Sequence, residues 1–304
     1  MTQSSSVVYS RSRIRADIIL LLASLFWGIG FSAQRVGVVH LDPNFFNGLR
    51  FLLAGFVLTP VIICRWQKIL PINLKAIWGT ILAGVVLFGA SSLQSMGVRY
   101  TTAANAGFIT GLYVVIIPVI LSIFLKRPPG KSIWLAAFVA AIGLFLLSTG
   151  GNIRLNSGDA LVLGSAFFWG LHVLIIGWLV KFTDVYFLGT LQFYICGLLN
   201  LLISINAPGR GNMVDVIHIW YAIVYNGIFS VAFGFTLQAV GQEVAPPADA
   251  AIILCMESVF SAFFGWILLG ENLTLIQILG CVLMFIGMTL AQIDPFRGNH
   301  PIKG

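Results

Sequence analysis

Glu257 stands inside an apolar run, with Leu254-Cys255-Met256 before it and Val259-Phe260 after it. A carboxylate at the middle of a membrane-crossing helix costs a few kcal/mol unless it is paired, protonated or wetted. Removal from water favours its neutral form, so such a group can take a proton and return it when water re-enters. That chemistry is proton coupling; the other reading is a structural carboxylate hydrogen-bonded between helices. His172 is the second titratable candidate, three positions after Trp169 and so about one helical turn away on the same face. It reads either as a coupling group beside Glu257 or as a hydrogen-bonded packing residue.

Five more polar or aromatic residues sit near the centres of apolar runs, where they are costly in lipid and face an interior cavity: Trp27, Ser91, Tyr113, Trp169 and Asn226. Trp27 and Trp169 lie too deep for an interfacial aromatic belt. They read as two walls of a substrate slot, attractive to an ammonium group, or as packing beside the adjoining glycines. Arg50 has three readings: a substrate carboxylate binder, a partner of an acidic side chain near one mouth, or an arginine that snorkels to the interface. Gln94 with Gln238 and Asn105 with Asp249 read as gate or helix-terminus hydrogen bonders. Pro118 denies a donor to the carbonyl of Val114, which kinks a helix and offers a hinge.

These residues require long apolar helices to hold them. The 304 residues are 59% hydrophobic and 9% charged, with a mean hydropathy of +0.98, whereas soluble proteins carry about 25% charged residues. Runs long enough to cross a bilayer fall near 17–36, 44–65, 76–96, 103–125 and 131–149, then 159–180, 185–205, 217–239, 248–269 and 273–293. Proline and glycine punctuate the short connections between them. The net charge of +7 comes from basic residues scattered through loops, which argues for an orientation signal rather than a nucleic-acid surface. With the N-terminus placed in the cytoplasm, the inner segments hold twelve Lys and Arg against four outside, Arg35, Arg99, Arg154 and Arg210. Both termini are then expected on the cytoplasmic side. The arginines ahead of the first run imitate a signal peptide, but the same run recurs at Asp159, where a signal peptide cannot be.

The chain is also written twice. Leu49–Gly55 (LRFLLAG) returns at Leu191–Gly197 (LQFYICG), an offset of 142, and Leu93–Ala106 returns at Leu237–Ala250, an offset of 144. An odd number of spans per repeat inverts the second repeat in the bilayer, the construction by which many secondary transporters exchange an inward-open for an outward-open cavity. The pattern resembles the drug/metabolite transporter superfamily, in its ten-helix members built from two EamA-type repeats. The likeness rests on Phe26-Trp27-Gly28 and Phe168-Trp169-Gly170, on Arg50, on the run Ala104–Pro118, and on Leu269-Gly270-Glu271 followed by Leu273-Thr274. It implies repeats over 16–149 and 158–293, with helices 1, 3, 4, 6, 8 and 9 lining a central cavity. Two departures stand out: Glu257-Ser258 replaces Glu-Pro, which is expected to leave helix 9 unkinked, and Arg127 stands where the second repeat has Glu271.

The expectation is an all-α, ten-helix transporter of the inner (plasma) membrane, not an enzyme, using no cofactor, metal or nucleic acid. It would move a small organic metabolite such as an amino acid or amphipathic compound by alternating access, with efflux the direction the family implies. A non-transporting sensor or scaffold on the same fold is the alternative. No Walker A, HExxH or GxSxG motif occurs to suggest ATP hydrolysis or intramembrane proteolysis. Apart from Arg50, no span interior carries Lys or Arg, which ranks sugar phosphates low. The four cysteines sit singly and suggest neither disulfides nor a metal cluster. Small residues on helices 5 and 10 read as packing seams, with a dimer face as the weaker reading.

Overall fold

The computed structural model describes residues 2–69, 72–101, 103–149, 157–207, 211–269 and 273–292, and all regular structure among them is helical. Ten helical rods follow in order: α1 (Thr2–His40), α2 (Pro43–Ile69), α3 (Leu74–Val98), α4 (Ala103–Gly111 with Tyr113–Ile123), α5 (Lys131–Thr149), α6 (Asp159–Leu179), α7 (Val185–Ser204), α8, α9 (Pro247–Leu254 with Glu257–Leu269) and α10 (Leu275–Gln292). α8 is composite, running Met213–His218, Trp220–Val224, a π-helical stretch Tyr225–Phe235, and Thr236–Gln242. Eight of the rods contain spans long and apolar enough to cross a membrane; the apolar cores of α5 and α10, Lys131–Leu147 and Leu275–Ala291, are shorter.

The rods start where side chains can satisfy free backbone N–H groups. Asp42 Oδ1 accepts from the amides of Asn44 and Phe45 at the head of α2, and Asp184 Oδ1 from Tyr186 and Phe187 at the head of α7. Asn212 and Asp215 form a reciprocal capping box on α8. Each such cap contributes about 1 kcal/mol.

Two rods break where the expectation differed. α4 is interrupted at Leu112, well before Pro118, which lies within a continuous segment. α9 is interrupted at Cys255–Met256 although it lacks the proline. Leu112 and Met256 are repeat mates at the 144 offset, so both repeats break at one position whether or not a proline follows. Short turns carry the chain across: Leu112 N donates to Ile109 O at 3.2 Å and Met256 N to Ile253 O at 3.1 Å.

Packing follows the duplication. α5 lies on α10, α2 on α7 and α8, α3 on α6 and α7, α1 on α8 and α9, α4 on α5 and α6, and α9 on α10. Exchanging each helix with the one five places later maps these pairs onto themselves, as a pseudo-twofold between inverted repeats requires. The α5–α10 seam is backbone against backbone: a Cβ on Gly143 would sit 2.6 Å from the Gly280 carbonyl. The small residues of these helices are therefore used within the chain, which answers the dimer-face reading for that seam.

Candidate functional site

Between the repeats lies a cavity with about 580 Å³ of atom-free space, part of it open to the exterior. Its wall brings together Trp27, Tyr113, Trp169, His172 and Glu257, five of the seven residues expected to contact substrate. The symmetric breaks in α4 and α9 position two of them, since Tyr113 and Glu257 each open the second segment of their rod. The Tyr113 hydroxyl donates to Glu257 Oε1 over 3.4 Å, across the pseudo-twofold. Among the described residues no Lys or Arg pairs with Glu257.

The slot expected between Trp27 and Trp169 is filled by Phe235 of α8. Its ring lies 4.9 Å from that of Trp27, stacks on Trp169 at 5.8 Å and 17°, and meets His172 edge-on at 5.6 Å. The two indoles differ in their N–H groups. Trp27 Nε1 donates to the Ser230 carbonyl at 2.8 Å, in the π-helical stretch of α8. Trp169 Nε1 is buried without a partner.

His172 is fully buried, with Nε2 2.9 Å from Gln192 Oε1. Against that acceptor Nε2 carries the proton, which leaves Nδ1 as an acceptor, and Nδ1 has no partner. Gln238 uses its amide N–H on Gln242 Oε1 at 3.0 Å, and Gln242 in turn donates to the Val173 carbonyl at 2.9 Å. Gln238 Oε1 is left unpartnered.

Three residues expected at a gate or mouth lie in this wall instead: Arg50, Gln94 and Gln238. Gln94 donates to Thr110 Oγ1 at 3.1 Å. Two residues expected in the wall lie behind it. Ser91 bonds its own helix at the Phe88 carbonyl and sits 3.6 Å from Cys196 Sγ, in the α3–α7 seam. Asn226 bonds the Ala222 carbonyl and accepts from Arg50 at 3.3 Å. The side chain of Asn105 lies outside the described residues. Gln34, Thr110, Ser230 and Phe235 line the cavity without having been expected to.

The two faces of the bundle differ. On the face where α1 begins, Arg13 donates to Asp17 on its own helix at 2.9 Å and to Asp249 at the head of α9 at 2.7 Å. All three side chains are at most 12% exposed. Nearby, partial burial and the charge of Asp184 hold the Glu243 carboxyl above its ordinary range. The first segment of α9 packs on both α1 and α6. On the opposite face its mate, the first segment of α4, packs on α6 but has no comparable contact with α1 among the described residues. Gly107 of that segment has open space where a side chain would go, whereas its mate Ala251 is fully buried. Among the described residues, a buried ion-pair cluster ties α1 to α9 on the Arg13 face, and Gly107 marks open space on the other.

Comparison with known proteins fits this architecture. The profile of the EamA-like transporter family matches the chain twice, over residues 14–149 and 156–292. An uncharacterized transporter of Archaeoglobus fulgidus is 27% identical over 92% of this chain and 87% of its own. The uncharacterized transporter YyaM of Bacillus subtilis is 23% identical over 90% and 92%. The uncharacterized inner membrane transporter YicL of Salmonella typhimurium is 25% identical over 91% and 95%. A solved crystal structure superposes with a TM-score of 0.76 at 17% identity, covering 91% of this chain and 96% of the other, which shows a shared fold.

Proposed function

The chain belongs to the EamA-like transporter family, and from that premise we propose that it is a secondary active exporter of a small organic metabolite, working by alternating access. That it is a multi-pass membrane transporter follows from the family and from the apolar helices. The substrate, direction and coupling are our reading. An amino acid or an amphipathic compound suits a wall of indole, phenyl and imidazole rings that also holds one carboxyl, one phenol and one guanidinium. Substrate contact is assigned to Trp27, Tyr113, Trp169, His172 and Glu257, proton coupling to Glu257 and His172, and closure of the Arg13 face to the Arg13–Asp17–Asp249 cluster. The loop charges support a cytoplasmic position for both termini.

One observation supports this reading above the others. Trp169 Nε1, His172 Nδ1 and Gln238 Oε1 are a donor and two acceptors, buried and unpartnered, all in residues of one cavity wall. Each unmade bond costs about 1–3 kcal/mol, a cost that packing alone gives no reason to keep and that a polar ligand removes.

The test is uptake into proteoliposomes under an imposed pH gradient, with a panel of amino acids and amphipathic cations. Saturable uptake that Glu257→Gln abolishes at unchanged expression is the expected result. Proton-driven uptake retained in that variant would remove the coupling role, and a panel in which nothing moves would favour a sensor or scaffold.

A further inference from the structure

Resting on the cavity reading above, we infer that Arg50 is the site's anion anchor and takes the carboxylate of the ligand. Arg50 lines the cavity and is 5% exposed. Burying a charge without a counter-charge is costly, and buried arginines are ordinarily paired with carboxylates. No acidic side chain pairs with Arg50 among the described residues, and Glu257, the acid of the same cavity, bonds Tyr113 instead.

What surrounds Arg50 is neutral and fixes its direction. Nε donates to Asn47 Oδ1 at 3.0 Å and Nη1 to Asn226 Oδ1 at 3.3 Å. Asn47 is itself held, donating to the Ser91 carbonyl at 3.1 Å and accepting from Ser95 Oγ at 3.1 Å. Gln34 of α1 donates to that same Ser95 at 2.9 Å. The ring of Phe51 lies 5.0 Å from the guanidinium carbon and that of Phe46 5.6 Å. Two asparagine amides leave the formal charge uncancelled while holding the planar fork, and among the described residues Nη2 has no protein acceptor. A held fork with free N–H groups matches a carboxylate in geometry and charge.

A snorkelling arginine would reach water and a structural one would pair with an acid. Arg50 does neither. The repeat mate Gln192 is neutral and engages His172, so the anion preference belongs to one end of the cavity. A single guanidinium suits one carboxylate rather than a phosphate ester, which usually gathers several basic contacts.

The experiment measures binding to the purified full-length protein by thermal shift and calorimetry. The probes are leucine and phenylalanine, their des-amino acids 4-methylpentanoate and 3-phenylpropionate, their amides, and the amines isopentylamine and phenethylamine. Members that carry a carboxylate should bind at least about tenfold more tightly than the corresponding amide or amine. Arg50→Gln should erase that preference, and Arg50→Lys should restore part of it. Asn226→Asp tests the idea without deleting the arginine: it sets a carboxylate against Nη1 in a side chain of the same shape, and should suppress acid binding in a folded protein. Acids and amides binding alike in the wild type, acid preference surviving Arg50→Gln and Asn226→Asp, or no acid binding at all would each overturn the assignment. Amines that bind while acids do not would leave the cavity a binding site and reject the anchor alone.

Discussion

Trp27 and Trp169 occupy the same place in the two repeats, yet their indole N–H groups do different work, one holding the Ser230 carbonyl and one unengaged. Removing each N–H should therefore give opposite phenotypes. Trp169→Phe is expected to raise KM for transport about five- to thirtyfold, as loss of one hydrogen bond worth about 1–2 kcal/mol, with thermal stability little changed. Trp27→Phe should remove the bond that ties α1 to the Ser230 carbonyl and lower stability by about 1 kcal/mol. Transport kinetics and thermal unfolding of both variants would show it, and the reverse pattern would reject the distinction. Glu257, His172 and the tryptophans were legible in the sequence because polar or amphipathic groups inside apolar runs carry an evident cost. Phe235 was not legible, being one of 24 phenylalanines in a run where phenylalanine is the expected occupant. Arg50 was expected at a mouth because it falls in the second turn of α2; its tether to Asn226, 176 positions away, comes from a helix crossing that spacing does not reveal.

At the scale of elements, the turns at Leu112 and at Cys255–Met256 divide α4 and α9 into two segments each, with Tyr113 and Glu257 opening the second. Proline was the available sequence signal and it pointed elsewhere: Pro118 lies within an unbroken segment, and α9 breaks without a proline. The repeat register was the better guide, because a break in one half predicts its mate in the other. The glycines that follow the tryptophans measure how tightly these rods cross the rest. A Cβ on Gly28 would lie 2.6 Å from Phe260 Cβ and 2.8 Å from the Glu257 carbonyl, whereas one on Gly170 would meet nothing closer than 3.3 Å, the Cγ2 of Ile116. Gly28→Ala should therefore cost about 1–3 kcal/mol through overpacking of α1 against α9. Gly170→Ala should be nearly neutral, since one side-chain methyl has to give by a few tenths of an ångström. Equal losses in thermal unfolding would contradict this account of the two crossings.

For the molecule as a whole, duplication, inversion and ten helices were legible from hydropathy and internal repetition, since both are properties of long segments. The conformational state was not, because it depends on how two related packings differ. The two crossings differ: Arg13 and Asp249 hold α1 to α9 on one face, and among the described residues the first segment of α4 makes no comparable contact with α1 on the other. Exchange of these two arrangements would be the alternating access proposed above. It is most directly tested by spin-label distances across both faces at once, from Ile14 to Val244 on the Arg13 face and from Val39 to Gly107 on the other, with Cys64 and Cys281 replaced by serine. Asp249→Asn, which frees the closed face, should lengthen the first distance and shorten the second. Two distances that stay fixed, or that lengthen together, would contradict the account.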